Sequence, residues 1–498
     1  MRGKRAAINS LAGLLRELAV IICNLIVPRL ILSHFGSSYN GLVSSVTQFL
    51  SYGVLLQAGV GGATRAALYG PLERGDTNKV SAIFNATRKF VKKVTRIFIV
   101  MIIVLSLCYP FLANQQFGYL FTASLVLIMA IETMANYIVS TSYVAFLNAD
   151  QKRYIVSLTS IAATVLATIL SSLLILLGAS IHTVKLGSAL VFSLQPFILY
   201  GYIRKKYDID FEATPDNDAI SQRWNSFIHQ VAEFIHNNVD VVLLTIFDTF
   251  EEISVYAVYA MVLQGMKQLV SNVAIGLEAA FGNLIARNEK DELNRVFDMS
   301  ETLVLFVSGV VFSCGIVLIV PFVLVYTKGI TDANYSRPLF GTIFCLAELC
   351  FSVRIPYKFL VEASGHFGQT RNGAILEPII NLSISLILIV PYGMTGIVIG
   401  TLVAIIFRTV QYVTYASKHI LERNLWAAVK KIIILIIGVF LSCVLASFIS
   451  LNCSNYWEWI ELAVIRGIII VIVFLAMTFI FDRKNLVQII GWVKRRLL

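Results

Sequence analysis

Residues 460–481, with the sequence IELAVIRGIIIVIVFLAMTFIF, decide the class of this fold. The stretch has the length of the roughly 20 apolar residues that a helix needs to cross a bilayer, and its only charged residues are Glu461 and Arg466. The composition of the chain agrees, because 57% of the 498 residues are hydrophobic and only 14% are charged, against about 25% in a typical soluble domain. The sequence therefore predicts a polytopic membrane protein.

Similar apolar segments of helical length precede this one along the whole chain, with polar breaks between them. Together they predict an all-α polytopic membrane protein of about 14 transmembrane helices. The predicted spans are 6–32, 40–69, 94–112, 117–147, 154–178, 182–203, 223–247, 253–285, 300–326, 338–363, 370–391, 395–418, 427–450 and 460–481.

The cationic residues in the loops and at the adjoining ends of the spans are distributed unevenly between the two sides of the membrane. Loops and span ends on the side of the N-terminus carry about 29 Lys and Arg residues, whereas the opposite loops carry only Lys328 and Arg337. Because Lys and Arg accumulate in cytoplasmic loops, we expect both termini to be cytoplasmic. This distribution accounts for the net charge of +11 without a nucleic-acid partner. The cytoplasmic stretches 70–93 and 204–223 are expected to be charged linkers or interfacial helices.

An internal repeat divides the predicted spans into two sets of six. Ala66-Ala67-Leu68 and Arg74 at the end of the second span correspond to Ala279-Ala280-Phe281 and Arg287 at the end of the eighth, 213 residues later. Two such units end near residue 426, which leaves two more spans. We therefore expect an N-terminal six-helix lobe at 1–210, a C-terminal six-helix lobe at 211–422, and two additional helices with a basic tail at 423–498. An even repeat predicts lobes related by an axis along the membrane normal.

Several cationic residues lie inside the predicted spans, where each costs roughly 2.5–3.5 kcal/mol at the bilayer centre unless it faces water, an acid or a ligand. They are Arg16, Arg29, Arg65, Lys185, Lys267, Arg354, Lys358, Arg408 and Arg466. One hypothesis is structural ion pairing with acids in other spans, such as Glu348 and Glu377. The other is a hydrated cationic cavity that receives an anionic substrate. Deep cations in both halves favour the cavity.

The seventh predicted span carries polar residues on or near one stripe: His229, Glu233, His236, Asn237 and Asp240. The HxxxExxH spacing suggests a metal, but no second such helix is present to complete a di-metal site, so we predict no metal. A plain water-facing stripe remains one interpretation. The other is a proton or sodium coupling site centred on Asp240, with Glu233 on the same span and Glu377 and Asn381 on span eleven.

Several short stretches resemble bacterial oligosaccharide flippases, the polysaccharide-transport branch of the multidrug/oligosaccharidyl-lipid/polysaccharide exporter superfamily. In the first half they are PRLIL at 28–32, FG at 35–36, YNGL at 39–42 and AGVGGATR at 58–65. In the second half they are NNVDVVLL at 237–244, VYAVY at 255–259 and FG at 281–282. The resemblance extends along the chain through the plan of its spans.

The resemblance implies a transporter of the bacterial cytoplasmic membrane that moves a polyprenyl-pyrophosphate-linked oligosaccharide from the inner to the outer leaflet. Two lobes would expose a central cavity to each side in turn while the lipid tail stays in the bilayer. The cationic residues of that cavity would neutralise the pyrophosphate or acidic sugars: Arg16, Arg65, Lys267, Arg354, Lys358 and Arg408. Glycan polymerases or glycosyltransferases are the protein partners implied, and membrane lipid surrounds the chain.

Other functions remain open as alternatives. Within the same superfamily these are a peptidoglycan-precursor (lipid II) flippase and a cation-coupled multidrug exporter, although an interior rich in Arg and Lys disfavours cationic drugs. A membrane glycan polymerase or ligase is disfavoured because no predicted external loop is long enough for a catalytic domain, so we do not expect an enzyme. No ATPase motif is present, since the glycines at 59–62 precede no Lys-Ser/Thr pair. Those glycines are expected to permit a bend or a close helix approach, and no cofactor other than a coupling H⁺ or Na⁺ is expected.

Overall fold

A computed structural model of the protein describes residues 2–57, 59–113, 116–220, 234, 238–449 and 453–497. Within these ranges the chain forms helices and no β-strand, which confirms the predicted all-α class. The helices are α1 (Arg2–Phe35), α2 (Ser37–Ser51), α3 (Val60–Arg74), α4 (Thr77–Ala113), α5 (Tyr119–Thr133), α6 (Thr141–Ala149), α7 (Arg153–Leu176), α8 (Ile181–Lys206), α9 (Asn238–Phe247), α10 (Phe250–Val273), α11 (Leu277–Ala286), α12 (Lys290–Tyr326), α13 (Pro338–Val353), α14 (Ile355–Ala363), α15 (Phe367–His419), α16 (Leu425–Ser447), α17 (Tyr456–Phe481) and α18 (Arg483–Leu497).

Ten helical stretches of the described residues are long and apolar enough to cross a membrane. One of them, α15, consists of two helices joined at Gly393, where φ is 53° and ψ is −137°. This break falls between the predicted spans 370–391 and 395–418. The predicted spans outside the ten are 40–69 and 117–147, which correspond to α2 with α3 and to α5 with α6, and 223–247, of which the structure describes residues 234 and 238–247. The chain is therefore a polytopic membrane protein, as its sequence predicts.

Four predicted spans are interrupted within their length. Only the interruption at the glycines of 59–62 was expected from the sequence. A 3₁₀ segment at Tyr52–Gln57 separates α2 from α3, and a π-helical segment at Met134–Val139 separates α5 from α6. Single breaks separate α10 from α11 and α13 from α14. Gly59 and Gly276 precede α3 and α11 with φ of 82° and 91°, in the left-handed region that favours glycine. The bend expected at the glycines of 59–62 is thus confirmed.

Residues 70–93 were expected to form a charged linker or an interfacial helix. The structure shows that they are not a linker. Helix α3 continues to Arg74, and a single left-handed turn at Gly75 leads into α4. The first turns of α4 are amphipathic, with Val80 and Phe84 buried against Phe146. The burial of this apolar stripe explains why a segment rich in Lys and Arg is helical.

Contacts divide the chain into two compact units, Met1–Ser254 and Val255–Leu498. Each unit has an apolar core, and several core positions of the first unit have a counterpart 213 residues later in the core of the second. In the first unit the recurring residues are Leu68, Val80, Phe84, Leu199 and Ile203; in the second they are Phe281, Leu293, Phe297, Tyr412 and Ala416. The spacing is that of the predicted repeat. The predicted division at 1–210, 211–422 and 423–498 stays a prediction.

Candidate functional site

The interruption between α13 and α14 carries a cationic residue. Arg354 ends α13 and begins α14, and Pro356 lies in the first turn of α14. Proline has no amide hydrogen, so the hydrogen-bond ladder of α13 cannot continue through this position. The backbone nitrogen of Lys358 donates to the carbonyl oxygen of Arg354 over 2.8 Å and starts the new helix. Arg354 therefore lies at a break in a predicted span.

One carboxylate lies between two buried guanidinium groups. Nη1 of Arg354 is 2.6 Å from Oε1 of Glu377, and Nε of Arg408 is 3.7 Å from Oε2 of the same residue. Arg354 is 5% exposed, Arg408 2% and Glu377 7%. Gly373 makes this approach possible, because a Cβ there would lie 2.4 Å from Nη1 of Arg408. Arg408 also donates to the carbonyl oxygen of Thr370 and to the side chains of Gln411 and Tyr412.

Lys267 extends this group of charges through an aromatic ring. Its Nζ is 3.1 Å from Oε2 of Glu348 and 3.7 Å from the centre of the Phe351 ring. The guanidinium carbon of Arg354 is 4.3 Å from the centre of the same ring. Both cations thus contact Phe351, in the geometry of cation–π attraction. We call Lys267, Glu348, Arg354, Glu377 and Arg408 the cation cluster.

The cation cluster has more positive than negative groups. It consists of three cations and two carboxylates, all of them largely buried. In addition, Nε of Arg354 is buried and donates no hydrogen bond to the part of the chain that is described. A buried donor without a partner is costly, and an anionic ligand oxygen would satisfy it. Such an oxygen could accept from this Nε while the ion pair of Arg354 with Glu377 is kept.

The six predicted cavity residues lie in different surroundings. Lys267, Arg354 and Arg408 come together in the cation cluster, whereas Lys358 pairs with Glu362, with Nζ and Oε1 3.9 Å apart. In the other unit, Arg16 of α1 pairs with its neighbour Glu17, and Arg65 of α3 is exposed. The expectation that all six form a single cavity stays a prediction.

The predicted coupling residues also lie apart. Asn381 is fully buried one turn beyond Glu377, and its Oδ1 accepts hydrogen bonds from the hydroxyl groups of Ser385 and Thr401 at 3.0 and 3.3 Å. Asp240 is buried in the other unit, and Glu233 lies outside the described residues, as do His229 and His236. Among the described residues, no three His, Cys, Asp or Glu side chains are placed to hold a metal ion.

A second set of polar contacts, which we call the α2 seam, joins α2 to α9 and to the first residues of α10. The hydroxyl groups of Ser45 and Thr245 are 2.6 Å apart, and the Tyr109 hydroxyl donates to Ser45 over 2.7 Å. The side-chain amide of Gln48 donates to Asn238. These groups lie in predicted spans, where a hydrogen bond to another helix is worth about 0.6–2 kcal/mol.

The seam continues toward the start of α2. Nδ2 of Asn40 donates to the hydroxyl of Ser254 over 2.8 Å, and both residues are buried. The helices touch at Gly41, where a Cβ would lie only 1.7 Å from the carbonyl oxygen of Phe250. Ser38 donates to Glu251 at the end of the row. This seam was not predicted, although small and polar residues recur at three- and four-residue intervals along α2 from position 38 to 48.

No protein-family model matches the sequence, and no curated protein matches it either. Solved structures do match its fold. The lipid II flippase MurJ in an inward closed conformation superposes with a TM-score of 0.72 and 15% sequence identity, over 96% of this chain and 100% of that chain. An inward-facing multidrug resistance MATE family transporter of the MOP superfamily matches with a TM-score of 0.60 and 12% identity, over 82% of this chain and 95% of that one.

The Vibrio cholerae MATE transporter VcmN, as a variant, has a TM-score of 0.60 and 14% identity, over 85% of this chain and 98% of the other. At such identities the likeness establishes the fold that these proteins share. It accords with the architecture implied by the sequence resemblance.

Proposed function

We propose that this protein is a flippase of the multidrug/oligosaccharidyl-lipid/polysaccharide exporter superfamily. Its substrate is a polyprenyl-pyrophosphate-linked oligosaccharide, which it moves from the inner to the outer leaflet of a bacterial cytoplasmic membrane by alternating access. The protein is a transporter and does not alter its substrate covalently. The shared fold with a lipid II flippase and with MATE transporters supports the class.

The cation cluster is the observation that carries the substrate assignment. Its three cations and the buried Nε of Arg354 match the needs of a pyrophosphate, whose oxygens accept charge-assisted hydrogen bonds. Arg354 lies at a helix interruption, and interrupted spans mark substrate sites in many transporters. In the proposed mechanism Arg354 and Lys267 contact the pyrophosphate, and Arg408 holds Glu377 in place.

The α2 seam supports alternating access. It joins predicted span two to predicted spans seven and eight, which belong to different lobes in the proposed division, and it does so at their predicted external ends. In the proposed mechanism this row of direct hydrogen bonds closes that end, and polar contacts of modest strength can be broken during a transport cycle. Opening this seam would release the sugar headgroup to the outside.

Removal of the substrate-facing cations tests the proposal. Arg354→Ala and Lys267→Ala should each abolish display of lipid-linked glycan at the cell surface without lowering the amount of protein in the membrane. Lys290→Ala, which removes an exposed cation paired with Glu422, serves as the control and should leave display unchanged. Normal display in both cluster variants would refute a role for the cluster in transport.

A conservative replacement separates substrate binding from simple ion pairing. Arg354→Lys keeps a positive charge beside Glu377 but lacks the guanidinium Nε. If Arg354 binds the pyrophosphate through its guanidinium group, the variant should be present at its normal level but transport should fall. Full transport would mean that Arg354 contributes only its ion pair to the fold.

We also propose that a gradient of H⁺ or Na⁺ drives transport through Asp240, which is buried in α9. Asp240→Asn should slow uptake of a fluorescent lipid-linked oligosaccharide into inverted vesicles and remove its dependence on the gradient. Glu377 and Asn381 are further candidates for this coupling, and Glu233 is another. A variant that keeps full gradient dependence would exclude Asp240.

A lipid II flippase is the second candidate function. The observation that favours it is coverage: the MurJ structure matches 96% of this chain, whereas the two MATE structures match 82% and 85%. Complementation distinguishes the candidates. Rescue of a strain depleted of its lipid II flippase would favour the peptidoglycan precursor, and rescue of surface glycan in a strain without its oligosaccharide flippase would favour the first proposal.

A further inference from the structure

The helix α18 follows the membrane-spanning helix α17 with only Asp482 between them. Several large apolar side chains near the end of α17 are exposed, including Phe479, Ile480 and Phe481, as expected for a surface that contacts lipid. Because a span ends at the boundary of the hydrocarbon region, α18 begins at the membrane surface.

The first turn of α18 is held by polar contacts within the same unit. Nδ2 of Asn485 donates to Asp482 over 2.9 Å and to the Thr302 hydroxyl over 3.3 Å, and that hydroxyl donates to Asp482 over 2.5 Å. Nζ of Lys431 lies 3.9 Å from the same carboxylate. These contacts tie α18 to α12 and α16, so the helix presents a defined face.

That face combines exposed cations with exposed apolar side chains. One stripe of the helix contains Arg483, Val487 and Ile490, at i, i+4 and i+7. The lysine at position 494 is at i+11 of the same stripe. Val487 is 58% exposed and Ile490 47%. The helix sequence RKNLVQIIGWVKRRL contains five Lys and Arg residues and no Asp or Glu. An amphipathic, strongly basic helix is typical of a segment that lies in the membrane interface.

We propose that α18 binds anionic phospholipid headgroups at the membrane surface where α17 ends. Charge complementarity selects this occupant, because five cations without an acidic residue attract phosphate groups. Continuity along the chain supports it as well, since α18 follows the exposed apolar end of α17 after a single residue. Val487 and Ile490 insert between the lipids, while Arg483 and Lys484 bind the phosphates.

A fluorescent probe on the exposed stripe tests this contact. The full-length protein, with its seven cysteines replaced, carries Val487→Cys labelled with the environment-sensitive dye NBD and is placed in lipid nanodiscs. The nanodiscs contain either phosphatidylcholine alone or a mixture with about one third phosphatidylglycerol. We expect NBD emission to shift to the blue in the anionic lipid only, and the shift to be lost in about 1 M NaCl, where the Debye length is about 3 Å.

Neutralising the helix provides the matched variant. Replacement by Gln of Arg483, Lys484, Lys494, Arg495 and Arg496 should abolish the shift, and each single replacement should weaken the apparent affinity for anionic lipid about fivefold. The control variant removes Lys89, Lys92 and Lys93 from α4 and should retain the shift. An NBD signal typical of water in both lipids, or a shift that survives both salt and neutralisation, would overturn the proposal. None of these measurements depends on which substrate is transported.

Discussion

Glu377 is a shared counter-ion of two buried arginines, since its carboxylate contacts both Arg354 and Arg408. Glu377→Gln would leave two guanidinium groups buried without their counter-ion. We therefore expect it to lower the free energy of unfolding by about 3–5 kcal/mol, the usual effect of breaking a buried ion pair. The midpoint of thermal unfolding in detergent measures this loss.

A surface pair provides the comparison for Glu377. Glu292 and Arg295 are ion-paired at 3.3 Å, with side chains 46% and 60% exposed. Glu292→Gln should change stability by less than about 1 kcal/mol, because exposed ion pairs contribute little. Equal losses in Glu377→Gln and Glu292→Gln would show that the buried pair is not structurally important.

Two glycines close together in sequence should respond in opposite ways to replacement by alanine. Gly59 has φ of 82°, so Gly59→Ala forces an L side chain into the left-handed region and should destabilise the protein by about 1–2 kcal/mol. Gly61 lies in the first turn of α3, where an added Cβ would meet open space, so Gly61→Ala should stabilise it by up to about 1 kcal/mol. Thermal unfolding of the two single variants checks both, and the same sign of change in both would contradict this account.

At the residue scale, the sequence identifies deep cations but not their partners. A Lys or Arg within an apolar run is recognisable from hydropathy alone, and Lys267, Arg354 and Arg408 stand out for this reason. The choice of Glu377 as the shared counter-ion depends on the rotation of α15 and on the space at Gly373, where a Cβ would meet Arg408 and Gln411. Hydropathy contains no information about either.

At the scale of elements, most of the predicted spans coincide with helices of the described residues, but they were too regular. Periodicity averages over a window of many residues, so a break of a few residues at Met134–Val139 or at Arg354 does not interrupt an apolar run. The breaks follow local chemistry instead: a glycine with positive φ at Gly59 and Gly276, and a proline at Pro356. Such signals were present in the sequence.

The α2 seam leads to a prediction at this scale, because α2 must separate from α10 if the seam is a gate. In a variant without the native cysteines, Asn40→Cys with Ser254→Cys places two thiols where the native side chains are hydrogen-bonded at 2.8 Å. Oxidation should stop transport of the lipid-linked substrate in proteoliposomes, and a reductant should restore it.

The control for this cross-link lies within one predicted lobe. Thr64 of α3 and Thr87 of α4 are buried and hydrogen-bonded at 2.9 Å, and no separation of these helices is expected. Thr64→Cys with Thr87→Cys should therefore transport equally well when oxidised and when reduced. Full transport by the oxidised Asn40/Ser254 pair would exclude the seam as a gate.

At the scale of the whole molecule, the repeat of 213 residues appears in both the sequence and the structure. Helices α4 and α12 have the same length of 37 residues, and α12 begins 213 positions after α4. The polar contacts near these helices follow the same spacing, since Asn85 contacts Asp210 and Asp298 contacts Arg423. The cation cluster does not recur, because the positions 213 before Lys267 and Arg408 are Val54 and Gln195. The cation cluster is therefore present in only one of the two repeats.

The orientation of the chain in the membrane is a further prediction at the scale of the whole molecule. An even number of spans brings both termini to one side, and the excess of Lys and Arg in the loops of that side places it in the cytoplasm. A green fluorescent protein fused after Leu498 should therefore fluoresce, because it folds in the cytoplasm. Alkaline phosphatase inserted at 328–337 should be active, because it folds outside. Phosphatase activity at the C-terminus would show that the orientation is the opposite one. The α2 seam would then open toward the cytoplasm.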